Sequence, residues 1–288
     1  MKSAKDIYLE AIAKIEKFSP APRVLGRAMS LLRDPGADLG DISDLIKTDT
    51  ALTSDIIRGA NSAYYGLGER VSSLDRAVQK IGFKECMRLL NLSVAHTLSN
   101  NELGGYGITA EDYWSESLFN GLFMELLAKQ TESVDPDSAH TAGLLRYIGR
   151  LAINRCLIDM GVDLFWNGTT PLQEWELSQV GFTQSHAAGH LLRAWKFSDE
   201  ITRAIEWQEN PAKSADVDDL LAAMHYTAMV LPPAMGLSFA TIPTEKEVGD
   251  ANTIDFLKRW AIDAETTKRL LDETRNNFTA INAKLYDS

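Results

Sequence analysis

Helical periodicity runs through nearly every segment of this chain, and no stretch shows the apolar–polar alternation of a strand. Capping residues and helix breakers recur between those segments. Together these features predict an all-α protein, a multi-helix bundle in two lobes. Residues 4–18 place Ile7, Ala11, Ile15 and Phe18 on one face. Pro22 suits the first turn of a helix that Asp34-Pro35-Gly36 ends. Residues 39–46 form a short helix, and Asp49 or Thr50 caps the next one, to about Ser62. After a loop at 64–68, Ser72 or Ser73 caps a short helix ending at Gly82, and a longer one follows from Phe83 to about Leu98. Residues 100–107, with three glycines, mark the boundary. The expected lobes are 1–108 and 109–288.

Thr109 opens a long helix to about Lys129, and Asp135-Pro136 leads into a central helix over 139–157. Ala142, Leu145, Ile148, Ala152 and Cys156 share one face of it. Leu144, Leu151 and Ile158 cover much of the rest, so burial on most sides is expected. Gly143 and Gly149 each cost about 1 kcal/mol against Ala, which implies neighbouring backbones in close approach. Arg146 and Tyr147 stand in the middle of this apolar helix. Thr170-Pro171-Leu172-Gln173 has the capping-box form and starts a helix stopping near Gly181. Helices follow at 184–196 and, capped by Ser198, at 199–208. Asn210-Pro211 breaks the chain before an apolar helix at 215–231. An irregular connection at 232–252 and two amphipathic helices complete the pattern.

The 288 residues suffice for a sizeable core, and 45% hydrophobic with 24% charged residues is ordinary soluble composition. The apolar run Tyr226–Ala240 contains Pro232, Pro233 and Gly236, so no membrane span is expected. The first ten residues have no apolar signal core. Cys86 and Cys156 lie in apolar helical patterns without zinc spacing, which reads as reduced core thiols in a cytoplasmic protein. A net charge of −11 without a basic stripe argues against nucleic acid as a partner.

The run from Leu31 to Leu67, followed by Ala77–Phe83, resembles the N-terminal half of the bacterial HDOD domain. Asp34-Pro35, Asp49, Leu52, Asn61-Ser62-Ala63-Tyr64-Tyr65-Gly66, Ala77 and Gly82 match that family's order and spacing. Gly143-Leu144-Leu145-x-x-Ile148-Gly149, Gly181-Phe182, Leu191-Leu192, Trp195, Ala204-Ile205 and Pro211 carry the likeness onward in weaker form. It spans about 20–230 and leaves a helical extension. HDOD domains are divergent relatives of HD metal-dependent phosphohydrolases and are implicated in bacterial signalling and regulation.

The resemblance also locates where a metal centre would lie. HD hydrolases hold metal through dispersed His ligands and a His-Asp pair, and the metal activates a water. Carried over, those positions hold Glu116, Arg146-Tyr147, Gln184, Gln208-Glu209 and Ala228. Arg cannot ligate a metal and brings a fixed positive charge. The resemblance therefore implies a vestigial pocket with no catalytic residues, no metal and no cofactor. In that pocket Arg146 is expected to pair with Glu116 or Glu209 as the replacement positive centre. His186 and His190 have metal-compatible i,i+4 spacing but no convergent carboxylate; a solvated pair is the simpler reading. His96, His140 and His225 are isolated. The tryptophans Trp166, Trp175, Trp195 and Trp207 read as packing residues.

Asn61, Ser62, Tyr64 and Tyr65 form a candidate interaction surface, against the plainer reading of a helix end tying down its loop. The expected function is a non-catalytic signalling or regulatory module whose partners are unidentified signalling proteins. The alternative is a sensor binding a nucleotide or second messenger in the vacated pocket, with Arg146 meeting phosphate. A residual phosphohydrolase is the third reading.

Overall fold

The computed structural model describes residues 39–48, 50–61, 71–99, 103–163, 165–195, 197–231 and 245–286, with isolated helical positions before residue 39. The protein is all-α, and the described residues contain no strand, only one isolated bridge between Leu103 and Ile108. The Pro22 helix start, the Asp34-Pro35-Gly36 turn, Asp49, Ser62, Tyr64 and Tyr65 lie outside the described residues. None of the described helices is long and apolar enough to cross a membrane.

From residue 39 on, the described residues begin with four helices: α1 (Leu39–Lys47), α2 (Thr50–Ala60), α3 (Leu74–Ile81) and α4 (Phe83–Ser99). Of the two serines offered as caps, Ser73 takes the role, its Oγ accepting from Arg76 N at 3.3 Å. Asn61, at the end of α2, bonds to the backbone of Val71. Its Nδ2 donates to Val71 O and its Oδ1 accepts from Val71 N, both at 2.8 Å.

A short turn follows and is pinned to the second half of the chain: Gly105 N donates to Asn154 Oδ1 at 3.0 Å. Next come α5 (Ala110–Thr131), α6 (Pro136–Leu144) and α7 (Ile148–Asp159). Thr109 and Asp135 cap α5 and α6 through their side chains. The single central helix expected over 139–157 is two helices. After Leu144 the backbone tightens to i→i+3 bonds, Arg146 N to Gly143 O (3.3 Å) and Ile148 N to Leu145 O (3.0 Å). Close packing accompanies the break. A Cβ on Gly143 would lie 2.5 Å from Asn120 O, and one on Gly149 only 1.8 Å from Gln184 O. Both glycines thus sit where another backbone passes. Ile158, expected to be covered, is 58% exposed because α7 ends beside solvent there.

The remaining helices are α8 (Leu172–Gln179), α9 (Gln184–Ala194), α10 (Asp199–Glu206), α11 (Asp219–Val230), α12 (Glu245–Val248), α13 (Ala251–Arg259) and α14 (Ala264–Tyr286). The Thr170 capping box does not form. Pro171 is the N-cap of α8, and Thr170 O instead accepts from Trp166 Nε1 at 2.9 Å. The C-terminal extension is part of the core, with Phe278 packed edge-on against Phe119 at 5.8 Å and Tyr226 bonded to Thr267 at 2.6 Å. Both cysteines are free and buried, and burial pushes their thiols up to about 11.

Candidate functional site

The break between α6 and α7 aims two side chains in succession at the middle of the bundle. Arg146 is 2% exposed and Tyr147 equally buried. The guanidinium binds three elements at once. Nε donates to Gln208 Oε1 (2.8 Å), and Nη1 donates to Asn120 Oδ1 (2.6 Å) and, longer, to Thr227 O (3.4 Å). The expected bidentate pair with Glu116 or Glu209 is not made. Neutral amides ring the charge instead, and each is held by a further bond. Asn120 donates to Glu116 O (2.7 Å), and Gln208 donates to Ile205 O (3.0 Å) and Ser185 Oγ (3.1 Å). His225, which the sequence left isolated, meets the Gln208 carbonyl at 2.5 Å.

One helical turn on, Arg150 forms a second positive centre. Its guanidinium lies over the Tyr147 ring (4.1 Å to the centroid), with that of Arg146 at 4.8 Å. Arg150 Nη1 stands 3.8 Å from Glu116 Oε2, and both side chains are nearly dry. Burial pushes the Glu116 carboxyl up to about 7 against the opposing pull of Arg150 and Arg146. Glu176 is also pushed up to about 7 by burial, although Arg150 and the Gln184 N–H (2.7 Å) favour its anion. Tyr147 is raised to about 12, again chiefly by burial.

Gln184 opens α9 and donates to Ser185 Oγ at 2.8 Å; Ser185 in turn donates to Glu209 Oε1 at 2.6 Å. Glu209 is exposed as a residue, yet its carboxylate turns inward and burial raises it above the ordinary range. Glu116, Arg146, Tyr147, Gln184, Gln208 and Glu209 therefore share one connected polar cluster. Ala228 follows the Thr227 carbonyl on α11, half-buried, and offers no polar side-chain atom.

Sequence reasoning missed Asn120, Arg150, Glu176, Ser185 and Thr227. Asn120 and Arg150 stand four residues after Glu116 and Arg146, so helical spacing alone points to them. Glu176 gives no such signal. It is the buried residue of α8, while neighbouring Leu177 is half exposed.

The donor chemistry does not fit a divalent ion. Guanidinium and amide N–H groups point inward, and no group of three or more His, Cys, Asp or Glu is placed to hold a metal among the described residues. His140 and His225 are buried, and His186 packs edge-on against Trp207 at 5.1 Å.

The described residues thus form an all-helical core with a buried polar cluster at a helix break. The family model of the HDOD domain matches residues 19–211, and the chain belongs to that family. A Treponema pallidum protein without assigned function is 23% identical over 255 residues, and the chain spans 48% of its length. Among solved structures, an HDOD domain protein of unknown function from Geobacter sulfurreducens superposes with a TM-score of 0.67 at 17% identity, over 97% of both chains. A candidate signal transduction protein from Marinobacter aquaeolei gives 0.64 at 22% identity, over 97% of this chain and 64% of that one. A candidate phosphohydrolase from Shewanella amazonensis gives 0.59 at 18%, over 93% of both chains. These likenesses establish the fold.

Proposed function

We propose that this protein is a non-catalytic signalling and regulatory module, working in the cytoplasm through contacts with other signalling proteins. The observation that carries the reading is the Arg146 guanidinium, buried and bonded to Gln208, Asn120 and Thr227 O at the centre of the bundle. A fixed cation there repels a second one and supplies no base to activate water. The same fold hosts neighbours named for signal transduction and for phosphohydrolysis, so fold alone does not choose between them. The site chemistry favours the first. The test is metal analysis of untagged purified protein together with phosphodiester and phosphomonoester assays across Mn, Fe, Zn and Mg. No stoichiometric metal and no metal-dependent cleavage are expected; either finding would remove the proposal. Crosslinked pull-down from the native cell then identifies the protein partner.

A second reading, a small-ligand sensor, has one observation in its favour. Glu116 Oε1 and Oε2, Glu176 Oε1, Gln184 Oε1 and the Tyr147 hydroxyl are buried without hydrogen-bond partners among the described residues. Native proteins leave few such groups unmet. A thermal-shift screen with nucleotides separates the readings, since a ligand at a hundred times its Kd adds about 2.7 kcal/mol.

A further inference from the structure

Away from that cluster, a cavity of about 220 Å³ lies on the seam where α4 meets α5 and α6. Its two walls carry opposite charge. From α4 come Lys84 and Arg88, one helical turn apart; from α5 and α6 come Glu125 and Asp137. Two ion pairs cross the seam between them. Arg88 binds Glu125, and Lys84 Nζ stands 3.7 Å from Asp137 Oδ2. Phe83 and Met87 give the α4 wall an apolar stretch beside its cations.

His140 lines the cavity and is 4% exposed. Its Nδ1 faces Glu125 Oε2 at 3.4 Å, outside hydrogen-bonding geometry, and its Nε2 has no partner among the described residues. A buried imidazole nitrogen without a partner is a costly thing to leave beside an empty space. Lys129, from the solvent side of α5, also reaches Glu125 at 2.7 Å.

We propose that this seam cavity binds a small zwitterion of the α-amino acid class. The ligand carboxylate would sit against Lys84 and Arg88, and its ammonium against Asp137 and Glu125. A short side chain would lie on Phe83 and Met87, and His140 Nε2 would gain its missing hydrogen bond. Both charges are required by the same argument. A ligand with one charge would part the cross-seam pairs and compensate only one wall, leaving the other wall's groups without partners. The size agrees, because the cavity is smaller than the roughly 300–1,000 Å³ that hold drug-sized molecules. Filling it would couple α4 to α5 and α6 through the ligand, which makes the seam an input site independent of the protein-partner reading above.

The experiment is isothermal titration calorimetry of the full chain against each common α-amino acid at millimolar concentration. The best binder is then compared with its carboxamide and its N-acetyl derivative. Saturable binding is expected, at least tenfold weaker once either charge is capped, a change of about 1.4 kcal/mol. Lys84→Glu, at a mostly exposed side chain, should weaken it at least as much, and Met87→Trp should abolish it by filling the space. The proposal is overturned if the folded protein binds no amino acid, if capped derivatives bind equally well, or if binding survives Lys84→Glu.

Discussion

Glu116 and Glu125 stand on the same helix, α5, and are 4% and 5% exposed, yet their carboxyls are driven in opposite directions. Glu116 faces Arg150 at 3.8 Å without a hydrogen bond, so the cost of burial wins and the proton is held up to about 7. Glu125 pays a burial cost as well. Around it, however, the buried His140 imidazole at 3.4 Å adds to Lys129 (2.7 Å) and Arg88, the two cations within hydrogen-bonding distance, and together they outweigh that cost and hold it well below the usual carboxylate range. Burial alone therefore does not set the charge state. What decides is whether donors arrive within hydrogen-bonding distance, and Glu125 has them because it sits on the seam, where exposed cations reach in.

The largest effect should come from removing Arg150. Arg150→Ala leaves Glu116 and Glu176 with a weakened counter-charge in a dry site and should cost about 3–5 kcal/mol in chemical denaturation. Arg150→Met combined with Glu116→Leu should cost clearly less than the two singles added. Additive costs would mean that water already reaches the pair.

Next is the pH dependence. Glu116 and Glu176 keep protons in the folded state that the unfolded chain has released, so stability falls as pH rises from about 4.5 to about 7. The loss is up to about 3 kcal/mol for each, less if the two titrate together. Glu125 acts with the reverse sign: its contribution is present above the ordinary carboxylate range and disappears as the medium turns acid. Glu116→Gln should flatten the neutral limb of a stability–pH curve and Glu125→Gln the acid limb. The opposite assignment of limbs would break the comparison.

The smallest effect is that of Glu125→Gln at neutral pH. Arg88 and Lys129 are 36% and 51% exposed and regain water, so about 1–2 kcal/mol should be lost.

Much of this arrangement is written in local sequence. The Thr109, Asp135 and Ser198 caps fall where the pattern places them. Gly143 and Gly149 mark close backbone approach, as their cost in a helix implies. The helix break at 145–147 was not legible, because an unbroken apolar period hides a switch from i→i+4 to i→i+3 bonding. Positions matched to the family pattern converge, but Arg146 takes amide partners in place of the expected carboxylate. Opposite charge suggested a Glu, while the geometry gives Asn120 and Gln208. Glu176 lay beyond reach, since burial of a glutamate beside an exposed leucine is decided by α9 arriving with the Gln184 N–H.

The contact at Gly149 carries a mechanical consequence. With Gln184 O where a methyl group would be, the start of α7 and the start of α9 touch backbone to backbone. No side chains stand between them to change rotamer, and none of the slack that lets packed helices slide is present at that point. A displacement of the start of α7 is therefore expected to carry the start of α9 with it.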